Sequence, residues 1–319
     1  MLVLLGAPRS GTTFIQRELS SYPGVVTTTE LHYFSHFASP ALRRFEKQVV
    51  TLNNLGSAFD RSGAMENRAI TLPAVMEYDE FLSFLRKPLD QLCERALRDY
   101  DDTSVFMMKN PTDAIFSQDV AAIVPDAHWI NVIRSPHDVV KSYRSINGNW
   151  GGSWAPKSVV LGCLLWRMCV LGALQLEERP NYMNLRYEDV RGNPTTTLRT
   201  VLDHIGLDDV SQSDGPVPAK WLTSTLSERL HGDVGPIEPK NFGDGSVARP
   251  KLNAVQAKLV TMLCRDLMAR FDYLPEGAPT QLSPLVRTLL HLTETLYNKK
   301  LRRDLKKSFR AKATQVSLV

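Results

Sequence analysis

Residues 2–13 read Leu-Val-Leu-Leu-Gly-Ala-Pro-Arg-Ser-Gly-Thr-Thr, and the fold turns on how this stretch is read. Leu2–Leu5 is a short apolar run that stops at Gly6, the pattern of a buried strand. After the glycine-containing turn, Thr12–Ser20 reads as a helix, ended by Ser-Tyr-Pro-Gly at 21–24. Outward from there, strand-like runs recur at Val25–Thr28, Val105–Met108, Trp129–Ile133 and Tyr182–Leu185. Helical patterns separate them: Leu42–Leu52, Phe81–Tyr100, Ile115–Val124, a helix opening at Pro136, then Ser158–Glu178, Thr195–Ile205 and Asn253–Phe271. Strands alternating with helices imply an α/β fold with a central parallel sheet flanked by helices.

Composition agrees. The chain has 319 residues, 43% hydrophobic and 23% charged, the proportions of an ordinary globular protein of one or two domains. Disorder, collagen-like repeats and a membrane-embedded bundle are excluded. The longest apolar region, Val159–Leu176, carries Arg167 near its middle, and a charge there is costly in lipid. Met1 leads directly into Leu-Val-Leu-Leu without a basic n-region, so no signal peptide is expected. Cys93, Cys163, Cys169 and Cys264 show no C-x-x-C spacing and are expected as buried thiols in a reducing, cytoplasmic setting.

The net charge of +4 is unevenly placed: residues 285–319 hold nine Lys/Arg and two Asp/Glu, a local +7, leaving −3 for the rest. The basic surplus therefore belongs to the tail and says little about the core's ligand. Residues 283–319 read as a basic amphipathic helical extension, with Leu285, Leu289, Leu292, Leu296 and Leu301 near helical spacing. Packing on the body, a homodimer contact and peripheral contact with an anionic membrane are its three candidate uses; packing or dimerisation is the expectation.

The turn at residues 6–13 has the chemistry of an anion cradle. Its glycines let the backbone curl so that successive N–H groups and the helix N-terminus face one ligand. Against the triphosphate loop G-x-x-x-x-G-K-[ST], both glycines and Thr13 fit, but Thr12 stands where the lysine is required. The cation has moved to Arg9, so an anion other than a triphosphate is expected. A second anion site lies at 130–142, Ile-Asn-Val-Ile-Arg-Ser-Pro-His-Asp-Val-Val-Lys-Ser, where Arg134 closes a strand and Ser142 follows about two helical turns later. Two such sites point to a ligand with two separated phosphate groups. His137 beside Asp138 is read as a surface residue at the helix start rather than a catalytic dyad.

Over about residues 1–275 these motifs, in this order, resemble the sulfotransferases that use 3′-phosphoadenosine 5′-phosphosulfate (PAPS). The resemblance implies a P-loop-NTPase-like sulfotransferase fold. It also implies that Pro8, Arg9, Ser10, Gly11, Thr12 and Thr13 line the 5′-phosphosulfate, with Arg134 and Ser142 at the 3′-phosphate. The segment Leu185-Arg-Tyr-Glu-Asp189 matches a later family segment and puts Tyr187 near the nucleotide. The late loop at 232–250, rich in Gly, Pro and Asp, is read as either an active-site lid or a mobile connection, and closure over the nucleotide is sought in Gly243-Asp-Gly-Ser-Val-Ala-Arg249, through Ser246 and Arg249. PAPS would be the co-substrate and adenosine 3′,5′-diphosphate (PAP) the product, with no metal demanded.

Sulfuryl transfer builds charge on the bridging oxygen, which cations stabilise, and needs a base for the acceptor hydroxyl. Arg9 and Lys109, the latter heading Lys-Asn-Pro, are the expected cations. The resemblance to the tyrosylprotein and heparan types makes Glu30, in Glu30-Leu-His32-Tyr-Phe34, the expected base, with His32 orienting the acceptor or assisting. No histidine follows Lys109 before His128, unlike the aryl and steroid types. Residues 36–100 and the stretch at 147–156 are expected to shape the acceptor pocket. A carbohydrate, lipid, phenol or small natural product remains open as the acceptor, and no nucleic-acid partner is implied. The rival readings are a P-loop kinase or nucleotide-binding protein, and a noncatalytic nucleotide-binding module with a membrane-docking tail.

Overall fold

The computed structural model describes residues 1–28, 30–59, 72–98, 104–149, 155–156, 158–207 and 251–296. Ser246, Arg249, the remainder of the 232–250 loop, Trp154, Leu301 and the tail beyond 296 lie outside the described residues.

Five strands, β1 (Leu2–Gly6), β2 (Val25–Thr27), β3 (Val105–Lys109), β4 (His128–Ile133) and β5 (Tyr182–Arg186), form one sheet in the order β2-β3-β1-β4-β5. Every pairing is parallel, with Leu4 beside Lys109 on one flank and Gly6 beside Val132 on the other. This is the α/β architecture that the alternation of elements demanded. Both faces are buried. Leu2 and Leu4 face a layer built from α1 (Thr12–Leu19), α7 (Tyr187–Gly192) and α8 (Pro194–His204). Val3 and Leu5 face the larger layer of α2 (Ser39–Phe59), α3 (Tyr78–Leu97), α4 (Ser117–Ile123), α5 (Pro136–Asn149), α6 (Val159–Leu174) and α9 (Ala254–Arg270). A strand buried on both sides reads as an unbroken apolar run, which is how β1 announces itself.

The order reverses around β1: β3 lies on one side and β4 on the other. The crevice outside the carboxyl ends of those three strands is where an open α/β sheet takes its ligand. All three strand ends carry polar residues singled out from sequence.

Apart from Arg167, helix α6 is apolar on every side, and it is buried from Gly162 to Val170, as a helix covered all round must be. It starts at Ser158, whose side chain accepts from Leu161 N at 3.2 Å. At Gly172 it approaches the segment after β3 so closely that a Cβ would meet the Ala114 carbonyl oxygen at 2.2 Å. That segment is not the single helix expected over 115–124. It is a 3₁₀ turn at Pro111–Phe116 followed by α4, because Asp113 N donates back to Asn110 O at 3.0 Å and tightens the turn. A π-helix at Phe34–Ala38 precedes α2. All four cysteines are free, but Cys93 is half-buried rather than buried.

Residues 284–296 form a further helix, α10. Its leucine stripe does not pack on the body: Leu285, Leu289, Leu292 and Leu296 are exposed, and Leu290 is the buried position. The helix is fastened by Glu294, which accepts from Arg167 Nε at 2.6 Å.

Candidate active site

The chain leaves β1 through Gly6 at φ 144°, where a Cβ would meet the Val132 carbonyl oxygen at 2.6 Å, so the approach of β4 requires glycine. Ser10 N closes on Ala7 O at 3.0 Å and Gly11, at φ 94°, caps α1. Helix α1 has no side-chain cap and no acid in its first turn, so its N-terminal end presents backbone donors and a positive dipole to the crevice. Pro8, Ser10 and Thr12 are buried in the loop, and Thr13 is exposed at its mouth. Ser10 Oγ is buried without a hydrogen-bond partner among the described residues.

The second segment converges on this loop. Arg134, at the end of β4, lies 4.4 Å over the Tyr187 ring and donates from Nη1 to Arg9 O at 3.4 Å. Its Nε is buried and makes no hydrogen bond among the described residues. The Tyr187 ring in turn covers Gly11, where an added Cβ would come within 2.2 Å of it. Trp166 belongs to the core, and its indole N–H holds the Arg134 carbonyl at 3.0 Å. Arg9 Nε donates to the buried Ser142 Oγ at 3.0 Å. The guanidinium of Arg9 is thus drawn to the β4 side, with Arg134, Ser142 and Tyr187, rather than toward Lys109. Glu188 was missed in the sequence; it accepts from Ser135 N at 3.0 Å and from Tyr273 Oη at 2.6 Å, tying the Tyr-Glu-Asp segment to the Arg134 loop. His137 is half-buried rather than fully on the surface: its Nε2 lies 3.1 Å from Ala257 O and 3.0 Å from Thr261 Oγ1, joining α5 to α9.

Across the crevice, Lys109 ends β3 with a side chain 5% exposed. It donates to Thr13 Oγ1 at 3.2 Å and forms an ion pair with Glu30. Gln16 fixes the end of β2, after which Glu30 follows, donating to Thr27 Oγ1 at 2.6 Å and to Thr28 O at 2.9 Å. The Glu30 carboxylate is 37% exposed, and His32 Nε2 sits 3.7 Å from its other oxygen. His32 itself takes φ 52° and stacks on His36 with ring centroids 4.8 Å apart. The structure therefore brings Lys109, Thr13, Glu30 and His32 into one cluster and Arg9, Arg134, Ser142 and Tyr187 into another, joined by the loop at 6–13.

The segment that follows Glu30 presents an apolar rim: Leu31 and Phe37 are exposed, and Tyr33 packs against Phe37 with ring centroids at 5.4 Å. Tyr33 Oη donates to Leu85 O at 2.5 Å, which ties this rim to α3.

Beneath Lys109 lies a group that no motif flagged. Asp113 is 2% exposed and accepts from Asn110 Nδ2 at 2.7 Å, while Asn110 also donates to Ser35 Oγ at 3.1 Å. Burial pushes the Asp113 carboxyl up to about 8, and the Glu30 charge adds to this against hydrogen bonds from Asn110 and Ser35. Being raised in the folded state, this acid is protonated when folded and ionised when unfolded between about pH 4 and 8. Its contribution is complete below the unfolded value and is lost as pH rises through that window. Asp113→Asn should therefore flatten the pH dependence of unfolding free energy by about 1.4 kcal/mol per pH unit. Urea titrations of both proteins at several pH values measure this; parallel slopes would show that Asp113 is ionised in the fold.

Sequence comparison matches residues 2–211 to the model of the sulfotransferase family. No curated protein matches the chain. Among solved structures, the chain is similar to the sulfotransferase domain of the Synechococcus PCC 7002 olefin synthase. Identity there is 18%, with 92% of this chain and 93% of that one covered and a TM-score of 0.47. It is also similar to sulfotransferase STF9 of Mycobacterium avium, at 17% identity, 87% and 78% coverage and a TM-score of 0.39. With the loop at 6–13, the second basic segment and all five strands inside the matched region, the chain belongs to the sulfotransferase family.

Proposed function

We propose that the protein transfers a sulfuryl group from PAPS to the hydroxyl of an acceptor that enters over the apolar rim beside Glu30. The observation that carries this reading is the position of Lys109, between Thr13 of the phosphate loop and the Glu30 carboxylate. A cation at that point can serve the departing phosphate side while the carboxylate serves the incoming hydroxyl.

PAPS, when bound, supplies an activated sulfuryl group on a good leaving phosphate. The crevice has donors to spare for it: Ser10 Oγ and Arg134 Nε are buried and make no protein hydrogen bond among the described residues, which is costly unless a ligand answers them. The loop at 6–13 would hold the phosphosulfate end, and Arg134 with Ser142 the 3′-phosphate. Arg9, bonded to Ser142, would link the two. Glu30 takes the proton from the acceptor oxygen onto its carboxylate, and Lys109 stabilises the negative charge left on the phosphate oxygen as the bond to sulfur breaks. His32, beside Glu30, orients the acceptor. The four unpaired thiols suit a reducing, cytoplasmic setting.

Calorimetric titration with PAP tests the reading. Wild type should bind, and Arg134→Ala should bind about tenfold to a hundredfold more weakly, the usual loss for hydrogen bonds to a charged group. Equal affinity in the two proteins, or ATP turnover with no response to PAPS, would overturn it.

A further inference from the structure

We infer that helix α10 is an anchor that lies on the surface of an anionic phospholipid bilayer, with Leu285, Leu289, Leu292 and Leu296 entering the lipid. The spacing of these four residues puts them on one face of a helix. All four point away from the body, at 52–71% exposure. The opposite side is the one that is held: Leu290 is buried, Val286 packs on the core, and Glu294 is paired to Arg167 of α6. The helix is therefore fixed in orientation with its leucine face outward, an exposed apolar surface of a kind that single stray leucines do not make.

Charge selects the occupant. After Leu296 the chain has eight Lys/Arg and one Asp in residues 297–319. A second copy of the chain, paired through the leucine face, would bring two such basic stretches together with almost no acid to offset them. A bilayer carrying anionic headgroups offers the opposite sign beside an apolar interior, and leucines on one face with cations next to them are what such a surface takes up. Among the described residues no helix is long and apolar enough to cross a membrane. The helix would lie in the interface, not span it.

The test is co-sedimentation of the full chain with vesicles of phosphatidylcholine alone, or with about a third phosphatidylglycerol. Wild type should bind the anionic vesicles at least about tenfold more tightly than the neutral ones, and should come off in high salt. The variant Leu285→Gln/Leu289→Gln/Leu292→Gln/Leu296→Gln should lose about tenfold or more of that affinity. Its PAP affinity, unchanged from wild type, would report an intact fold, since none of these side chains is buried. Vesicle binding that is absent, or is undiminished in the variant, would overturn the inference. So would a wild-type dimer that the variant abolishes while vesicles are ignored, because that result would assign the face to a second copy.

Discussion

Glu30→Gln should lower the sulfuryl-transfer kcat by about 10²- to 10⁴-fold while leaving PAP affinity close to that of wild type. The substitution keeps the shape of the side chain and removes its capacity to accept a proton as a carboxylate. Glu30 is over a third exposed, so the fold does not rest on it, and Lys109 retains its bond to Thr13. Thr13, Arg134 and Ser142 make their hydrogen bonds to groups other than Glu30 and keep them. Two measurements separate the roles: PAP titration for the nucleotide site, and single-turnover transfer from labelled PAPS for chemistry. His32 is the only other base drawn to the cluster from the sequence, and its Nε2 is 3.7 Å from the carboxylate. If His32 were the true base, His32→Ala would show the large loss and Glu30→Gln a small one. Retention of wild-type kcat in Glu30→Gln removes the carboxylate from the mechanism.

The sheet was legible because a parallel strand buried on both faces has to be apolar throughout, and Leu2–Gly6, Val105–Lys109 and His128–Ile133 are short and sharply bounded by Gly or polar residues. The turn at 6–13 was legible for a similar reason: glycines between a strand and a helix permit the positive φ that Gly6 and Gly11 adopt. What escaped reading depends on partners distant in sequence. Arg9 and Ser142 are 133 positions apart, and nothing local says that the arginine turns toward β4 instead of Lys109. Asp113 looks like one acid in a polar turn; only the packing of α6, which touches Ala114 at Gly172, shows that the turn is buried. The 3₁₀ geometry of Pro111–Phe116 follows from the same tertiary contact and from the Asn110 hydrogen bonds, against a sequence that also suits a helix. In α10 the leucine periodicity announced an amphipathic helix but not which face meets the body. The decision falls to Glu294, whose partner Arg167 lies 127 positions away.

Arg167 should accordingly be the position at which one substitution most damages stability. Its guanidinium, 5% exposed within an otherwise apolar helix, donates to both oxygens of Asp266, to Glu294 and to the Leu263 carbonyl. Arg167→Met fills the same space with apolar atoms but strands two carboxylates and a carbonyl oxygen. Removing one member of a buried ion pair costs about 3–5 kcal/mol. Asp266 is about a third exposed and Glu294 less, so water relieves part of the penalty and the lower end, about 3 kcal/mol, is expected. Urea denaturation should show the midpoint falling with m unchanged. Adding Asp266→Leu and Glu294→Leu to the same chain should recover most of the loss, because a matched apolar set can replace a buried triad. Glu294→Ala alone leaves the paired Arg167–Asp266 bonds in place, so it should cost less globally while raising hydrogen exchange selectively in 284–296. A midpoint unmoved in Arg167→Met would mean that apolar packing alone seats α10 on α6 and α9. In that case the outward direction of its leucine face would no longer be fixed by the ion pair, and Glu294→Ala would leave exchange in that helix unchanged.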